Sequence, residues 1–273
     1  MHNDQLLKRF PCRYFLGGVV GLILAAGVST EIRGEPLTNP SVQETVETTG
    51  VQGSVLRRIA IEGRAAIFLW SVDLRRLDLV VSEQQDEGGT SVRAAVEREH
   101  GVLGVNAGYF KLNGDVHAPA GLLVVNGRRT GDVASSLRLL VKSSQGKGSQ
   151  GWDVLYPQEL GLQASLEFAL QSRPIVVDRP GKIGVSREAN ELSRRTAICV
   201  GKDMVVLIAT DDPLTLYDLG SLLVDQNAKG NIDCPVALAL DGGPSTGMYA
   251  TNPSIEVHEQ WKVENVLVVR PKP

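Results

Sequence analysis

The stretch "ALALDGGPSTGMY" (residues 237–249) takes the chain from a small apolar run into a glycine-rich turn. The apolar run ends at Asp241, and a carboxylate at the end of a buried strand is costly unless it is paired or lies at an open sheet end. Gly242 and Gly243 let the backbone turn sharply and approach a ligand, and amides in such a turn can point together at an anion. The stretch therefore predicts either a binding site at a strand end or a tight turn capped by the aspartate.

Short apolar runs of the same kind lie on both sides of this stretch. They are rich in valine, isoleucine and leucine and are bounded by turn residues, a pattern typical of β-strands. The clearest runs are "AAIFLWSV", "LDLVVSE", "VLGVN", "GLLVVNG", "LRLLVKS", "PIVVD", "TAICVG", "MVVLIAT", "VALAL" and "VENVLVVR".

Two segments have the features of helices instead. Residues 90–101 ("TSVRAAVEREHG") begin with two hydroxyl residues that can cap a helix and stop at a glycine. Residues 215–230 begin with a T-x-x-D capping box formed by Thr215 and Asp218. Many strands with few helices, in irregular order, predict an α+β fold: a single domain over residues 54–271, built on a mixed, strand-rich sheet.

The composition limits the classes of partner. The chain has 273 residues, of which 42% are hydrophobic, so a sizeable core can be buried. Aromatic residues make up only 5% and the formal net charge is -3, which argues against binding of nucleic acid through stacking or a basic face.

The N-terminal segment has the layout of a targeting sequence. A basic region ending at Arg13 precedes the apolar run of residues 14–28, which closes with small residues. This order predicts a signal peptide over residues 1–29 and a secreted or periplasmic protein; the alternative is an uncleaved N-terminal membrane anchor. Residues 30–53, rich in threonine, glutamate, proline, serine and glycine, predict a flexible linker.

Cys199 and Cys234 are the two cysteines outside the N-terminal segment. An oxidising compartment would allow them to pair. Both lie beside apolar runs, where a free cysteine behaves as a small hydrophobe. We expect them to be unpaired.

A second polar cluster follows the run "VLGVN". Asn106 ends that run, and Gly108 follows it in a segment of small residues. Asp115 and His117 come next, in a loop. The chain beyond the targeting segment has no H-x-x-x-H or C-x-x-C spacing, so a zinc site has little support. The absence of G-x-G-x-x-G argues against a dinucleotide. We expect neither a metal nor another cofactor.

Arginines form a third group of candidates. Arg173 precedes one strand-like run, and Arg194 and Arg195 precede another. A guanidinium matches phosphate oxygens two at a time through its fork of donors. We expect one arginine of the 194–195 pair to be an ordinary surface residue.

The ordered set of motifs resembles the phosphodiester glycosidase family over about residues 55–270. The motifs are "NAGYF", "PAGLLVVNG", "QSRPIVVD", "RRTAICVG", "TLYDLGSLL", "ALALDGGPST" and "VENVLVV". The sequence departs from the family pattern at Pro244, where a third glycine is common, and in "NAGYF", where "NGGFF"-like text is common. These changes leave the shape of the pocket open.

The resemblance implies an enzyme that splits the bond between the anomeric carbon of a sugar and a phosphodiester oxygen. The substrate would be a phosphorylated carbohydrate in a glycan or envelope polymer, since bacterial members are exopolysaccharide-related. Asp241 would be the first catalytic residue, and Asp115 or His117 would be the second acid-base group. The substrate-binding candidates are Asn106, Gly108, Arg173, Arg195, Thr196, Gly242, Gly243, Ser245 and Thr246.

Two other functions compete with this interpretation. A module that keeps the fold without catalysis would only bind phosphorylated glycans. A metal-dependent phosphodiesterase would cut the phosphorus–oxygen bond, but it needs clusters of oxygen ligands, and the sequence shows only scattered candidates. Asp241, Arg173 and Arg195 together favour the enzyme.

Overall fold

The structure is a computed structural model, and it describes residues 42–61, 66–161 and 165–272. The proposed signal peptide and the first part of the proposed linker lie outside these residues. Contacts divide the chain into residues 1–30 and 31–273, and only the second unit is described below. Among the described residues, no helix combines the length and hydropathy needed to cross a bilayer.

The described residues form twenty strands and two α-helices. In chain order they are β1 (Val42–Thr48), β2 (Ser54–Ile61), β3 (Ala66–Asp73), β4 (Leu77–Glu83), α1 (Val92–Arg98), β5 (Leu103–Asn106), β6 (Phe110–Asn113), β7 (Val116–Pro119), β8 (Leu123–Val125), β9 (Arg128–Thr130), β10 (Arg138–Ser143), β11 (Trp152–Leu155), β12 (Leu166–Ser172), β13 (Ile175–Asp178), β14 (Lys182–Ile183), β15 (Thr196–Val200), β16 (Met204–Thr210), α2 (Leu216–Ala228), β17 (Ala237–Ala239), β18 (Met248–Thr251), β19 (Ser254–Val257) and β20 (Asn265–Pro271).

The strands form one large sheet, two smaller ones and a separate hairpin. The large sheet has the order β1-β2-β3-β16-β15-β17-β13-β14, and the five-stranded sheets have the orders β11-β10-β12-β8-β9 and β19-β18-β5-β20-β4. β6 and β7 form the hairpin. The α+β, strand-rich class with two helices is confirmed. The expectation of a mixed sheet is wrong, because every pairing between these strands is antiparallel.

The central strands of the large sheet are buried on both faces. In β15, Ile198 belongs to the core shared with the five-stranded sheets, whereas its neighbour Ala197 belongs to the core under α2. Successive side chains of a strand point to opposite faces, so β15 contributes to both cores. This explains why the central strands appear in the sequence as continuous apolar runs.

Both predicted helices are present, with the predicted caps. The Ser91 hydroxyl accepts a hydrogen bond from the Ala94 N–H at 3.1 Å. The Thr215 hydroxyl accepts one from the Asp218 N–H at 3.0 Å. Each bond satisfies one of the amides that a helix leaves free at its start.

The linker prediction is wrong for its second half, because β1 pairs along its whole length with β2. β1 is mostly exposed, and it is joined to β2 by main-chain bonds and by an ion pair of 2.8 Å between Glu44 and Arg57. A strand held mainly through its backbone carries little apolar pattern, and composition alone therefore suggested an unstructured arm.

The expectation of unpaired cysteines is also wrong. Cys199 and Cys234 form a disulfide with their Cα atoms 5.1 Å apart. Cys199 in β15 lies opposite Ala237 of β17, and Cys234 comes shortly before Ala237 in the chain. The pairing of these two strands therefore brings the two thiols together, which a strand-by-strand interpretation of the sequence cannot reveal.

Candidate active site

Three neighbouring strands of the large sheet place their polar ends together. β15 begins at Thr196 opposite the region where β17 ends, and β13 begins just after Arg173 on the other side of β17. Because the strands are antiparallel, the start of one lies beside the end of the next. Asp241 follows β17 at this edge of the sheet.

The turn after β17 is tied to the neighbouring sheet. The Asp241 N–H donates to the Ala107 carbonyl at 2.9 Å, and the Asn106 side-chain amide donates to the Asp241 carbonyl at 2.7 Å. The Gly242 N–H donates to the Asp241 carboxylate at 3.0 Å. Gly243 has a φ of +61°, a conformation that glycine adopts without steric cost. The turn is thus fixed in position by β5 and the residue after it.

Asn106 holds this turn in position, and Thr196 bonds to Asn106. Asn106 is fully buried, and its carbonyl oxygen accepts hydrogen bonds from the Thr196 hydroxyl at 2.6 Å and the Gly247 N–H at 3.0 Å. The side-chain NH2 group of Asn106 bonds to Asp241, so both polar atoms of this side chain have partners within the protein. Both residues were predicted to bind substrate, and the geometry gives Asn106 a positioning role instead.

The polar strand ends surround one cleft of about 260 Å³, which we call the Asp241 cleft. It is lined by Tyr109, Arg173, Glu191, Ser193, Arg195, Thr196, Leu216, Ala239, Leu240, Asp241, Gly242, Gly243 and Pro244. The motifs "NAGYF", "SRP", "RRT" and "DGGPST" therefore each contribute residues to one cleft.

The Asp241 carboxyl is partly withdrawn from water. Burial raises the pKa of Asp241 above its ordinary value, and hydrogen bonds from the Ser245 hydroxyl and the Gly242 N–H oppose that rise. A carboxyl with a raised pKa in a cleft is a frequent feature of functional sites.

The arginines in this region have different surroundings. The Arg195 Nε donates to the Leu214 carbonyl at 2.8 Å, and burial lowers the pKa of Arg195. Arg173 is exposed, and within the described residues its guanidinium has no hydrogen-bond or ion-pair partner. Arg194 instead donates to the His258 carbonyl at 2.8 Å and does not line the cleft. Of the 194–195 pair, only Arg195 therefore lines the Asp241 cleft.

Three further candidates lie behind the lining of the cleft. The Gly108 N–H donates to the Asn265 side chain at 2.7 Å, and a Cβ at Gly108 would lie 3.0 Å from the Gln171 carbonyl. Ser245 and Thr246 are buried. Ser245 acts on Asp241 through its hydroxyl, whereas the Thr246 hydroxyl has no hydrogen-bond partner in the described part of the chain.

Asp115 and His117 lie in a different cleft. This second concavity, of about 420 Å³, is lined by Gly88, Phe110, Leu112, Gly114, Asp115, His117, Gln260, Trp261 and Lys262, and we call it the Trp261 cleft. The structure therefore does not bring either residue to Asp241. The β6–β7 hairpin carries both residues away from the end of β17.

Sequence reasoning missed two polar side chains of the Asp241 cleft. The Tyr109 hydroxyl donates to the Arg173 carbonyl at 3.1 Å; burial raises the pKa of Tyr109, and the Asp241 charge adds to this rise. Glu191 is the second carboxylate in the lining. Tyr109 stands inside the quoted "NAGYF" motif, which offered a signal, but Glu191 stands in an irregular loop with none.

The described residues contain no group of three or more histidine, cysteine, aspartate or glutamate side chains arranged to hold a metal. The charged groups that line the Asp241 cleft are two guanidinium and two carboxyl groups. Such a cleft combines donors for an oxyanion with groups able to transfer a proton or stabilise a cation.

The fold and the cleft together define an antiparallel α+β protein with two guanidinium groups and two carboxyl groups in one cleft. The chain belongs to the phosphodiester glycosidase family, whose model matches residues 99–270, more than half of the chain. All four charged residues of the Asp241 cleft lie within the matched range.

Solved structures share this fold at low sequence identity. The catalytic domain of zebrafish N-acetylglucosamine-1-phosphodiester alpha-N-acetylglucosaminidase, auto-inhibited by its pro-peptide, is 15% identical with a TM-score of 0.54, covering 88% of this chain and 87% of that one. A hypothetical protein from Synechocystis is 11% identical with a TM-score of 0.53, covering 85% of this chain and 68% of that one. No curated protein matches the sequence.

Proposed function

We propose that the protein is an exported hydrolase that cleaves the glycosidic bond of a sugar-1-phosphodiester in a glycan or envelope polymer. Family membership supports the phosphodiester glycosidase class. The observation that carries the proposal is the shared cleft of Asp241, Arg173 and Arg195, because this reaction needs a carboxylate beside the sugar and cations beside the phosphate.

In the proposed reaction the bond between the anomeric carbon and the phosphodiester oxygen breaks. The electron pair leaves with the phosphate monoester, and water supplies the new oxygen on the sugar. The leaving group is already a stable anion, so it needs less protonation than an alcohol. Arg173, whose donors are free among the described residues, and Arg195 would stabilise the charge that builds on it.

Asp241 would stabilise the oxocarbenium-like carbon, either through its charge or as a nucleophile. The Asp241 cleft offers Glu191 as the second carboxylate, so we assign to Glu191 the proton transfer that the sequence suggested for Asp115 or His117. The assignment rests on its place in the lining.

The test is incubation with a panel of sugar-1-phosphodiesters in heavy-oxygen water, followed by mass spectrometry of both products. Label in the sugar supports carbon–oxygen cleavage and the proposed function. Label in the phosphate would identify a phosphodiesterase, and binding without any product would leave a phosphoglycan-binding module. N-terminal sequencing of the mature protein from the host tests export: a start near residue 30 supports it, and an intact Met1 in the membrane fraction favours the anchor.

A further inference from the structure

The Trp261 cleft contains large apolar side chains that are exposed to solvent, although such side chains are usually buried. Trp261 is 55% exposed, whereas Trp70 and Trp152, the other two tryptophans of the chain, are each 1% exposed. Leu112, in the same lining, is 56% exposed. Large apolar groups that remain exposed in a concave site mark a surface that binds something.

The hairpin forms one ordered wall of this cleft. Phe110 and Leu112 stand two positions apart in β6, so they share a face, and Leu112 lies opposite His117 of β7. The rings of Phe110 and His117 are 4.8 Å apart. The His117 Nδ1 lies 3.3 Å from the Glu87 carbonyl, which can only accept, so Nδ1 carries the hydrogen.

Three polar side chains of the cleft have no partner within the described residues. Asp115 offers a carboxylate, Lys262 an ammonium group and Gln260 an amide, and none of the three makes a side-chain hydrogen bond or ion pair there. One acidic and one basic group balance each other. An uncharged ligand with many hydroxyl groups suits this set better than an ion does.

Residues of the Trp261 cleft adjoin residues of the Asp241 cleft at two places. The Pro244 carbonyl, in the lining of the Asp241 cleft, accepts hydrogen bonds from the Gln260 N–H at 2.7 Å and the Trp261 N–H at 3.1 Å. On the other side, Tyr109 lines the Asp241 cleft and the next residue, Phe110, lines the Trp261 cleft. The two clefts are therefore neighbours in the structure.

We infer that the Trp261 cleft is a second carbohydrate subsite, which binds an uncharged pyranose unit of the glycan whose phosphodiester lies in the Asp241 cleft. The apolar C–H face of the sugar would stack on Trp261, and Leu112 would border it. Asp115, Gln260 and Lys262 would bond to the hydroxyl groups. The assignment of the phosphodiester rests on the proposed function, but sugar binding at the Trp261 cleft does not.

Binding can be measured on the exported chain without turnover. We would titrate it with cellotriose, maltotriose, mannotriose and chitotriose and follow tryptophan fluorescence, which reports Trp261 because the other two tryptophans are buried. We expect at least one sugar to bind with a Kd of about 1 mM and to lose about tenfold or more in affinity in Trp261→Ala, as measured by saturation-transfer NMR. Val46→Ala is the matched control, since Val46 is also 55% exposed but lies on β1.

The result is independent of catalysis. Asp241→Asn should bind the same sugar with unchanged affinity, because Asp241 does not line the Trp261 cleft. If the protein hydrolyses sugar-1-phosphodiesters, Trp261→Ala should raise KM for substrates of two or more sugars and leave KM for single-sugar substrates unchanged. No binding of any of the four sugars at about 50 mM, or a fluorescence response to phosphatidylglycerol vesicles alone, would overturn the subsite.

Discussion

The side-chain amide of Asn106 donates a 2.7 Å hydrogen bond to the main-chain carbonyl of Asp241, 135 positions further along the chain. The same Asn106 accepts from Thr196 and from Gly247. One buried side chain thus ties the end of β5 to the start of β15 and to both ends of the turn after β17. The position of the Asp241 carboxyl depends on this junction.

The first prediction concerns this junction. Asn106→Ala leaves a buried carbonyl, a hydroxyl and an N–H without their partner, and each unsatisfied group costs about 1–3 kcal/mol. We expect the free energy of unfolding to fall by about 3 kcal/mol or more, and turnover to fall in the folded fraction because the turn shifts. Urea unfolding measures the first effect. Asn113→Ala, on the exposed end of β6, is the control. An equal decrease in the free energy of unfolding of the two variants would contradict the stabilising role of Asn106.

The second prediction separates Asp241 from Arg173. Asp241→Asn keeps the shape of the side chain and removes its charge, so turnover should fall by about two orders of magnitude or more. Binding of the anionic substrate should survive or tighten, because a negative charge near the phosphate is lost. Arg173→Ala should weaken binding and also slow turnover, because charge builds on the leaving group.

Kinetics and isothermal titration calorimetry on one substrate compare the two variants. Arg129→Ala, on exposed β9 and outside the lining of the Asp241 cleft, controls for loss of a surface charge. A folded Asp241→Asn enzyme with near-normal turnover would reduce the glycine-rich stretch to a structural turn.

The central strands of the large sheet could be predicted from the sequence because they are buried on both faces. All ten quoted runs are strands, and two of them, β4 and β16, have the quoted bounds. The other ten strands were not among these runs. β1, β6 and β9 are largely exposed, so main-chain pairing holds them with little apolar pattern. β11 and β12 were missed although they are largely buried.

The Asp241 cleft could be predicted in part for a related reason. Asp241, Arg173 and Arg195 stand directly beside apolar runs, and the edge of an antiparallel sheet gathers such positions. Asp115 and His117 stand at the tip and return strand of a hairpin, whose direction depends on distant packing that the local sequence does not encode. Glu191 reaches the cleft from a loop without any periodic signal.

The third prediction concerns the disulfide between Cys199 and Cys234. The bond closes a loop with a sequence separation of 35 residues, and the chain-entropy model gives such a loop about 4 kcal/mol of stabilisation. Cys199→Ala/Cys234→Ala should therefore unfold at a lower urea concentration than the oxidised protein. Reduction of the wild-type protein should have a similar effect, whereas reducing agent should not affect the double variant. Equal stability of oxidised and reduced wild-type protein would show that the bond is not formed.

The last prediction follows from the environment of the Asp241 carboxyl. Burial raises its pKa, and the proposed reaction needs the ionised form, so the acidic limb of the turnover profile should lie at higher pH than for an ordinary aspartate. Ser245→Ala removes a hydrogen bond that lowers this pKa and should move the limb to still higher pH. Ser186→Ala, at an exposed position, should leave the limb unchanged.

Stability should change with pH in the opposite sense. A raised pKa in the folded state means that the native protein binds more protons than the unfolded chain between the two pKa values, so stability falls as pH rises through this window. Asp241→Asn should remove that fall, and its stability relative to wild type should increase from acid to neutral pH. Urea unfolding of both proteins across the pH range, with Asp115→Asn as the exposed control, measures the difference. If the difference in unfolding free energy between Asp241→Asn and wild type does not change with pH, Asp241 titrates as it does in water. If Ser245→Ala does not move the acidic limb of the turnover profile, Asp241 is not the group that sets this limb.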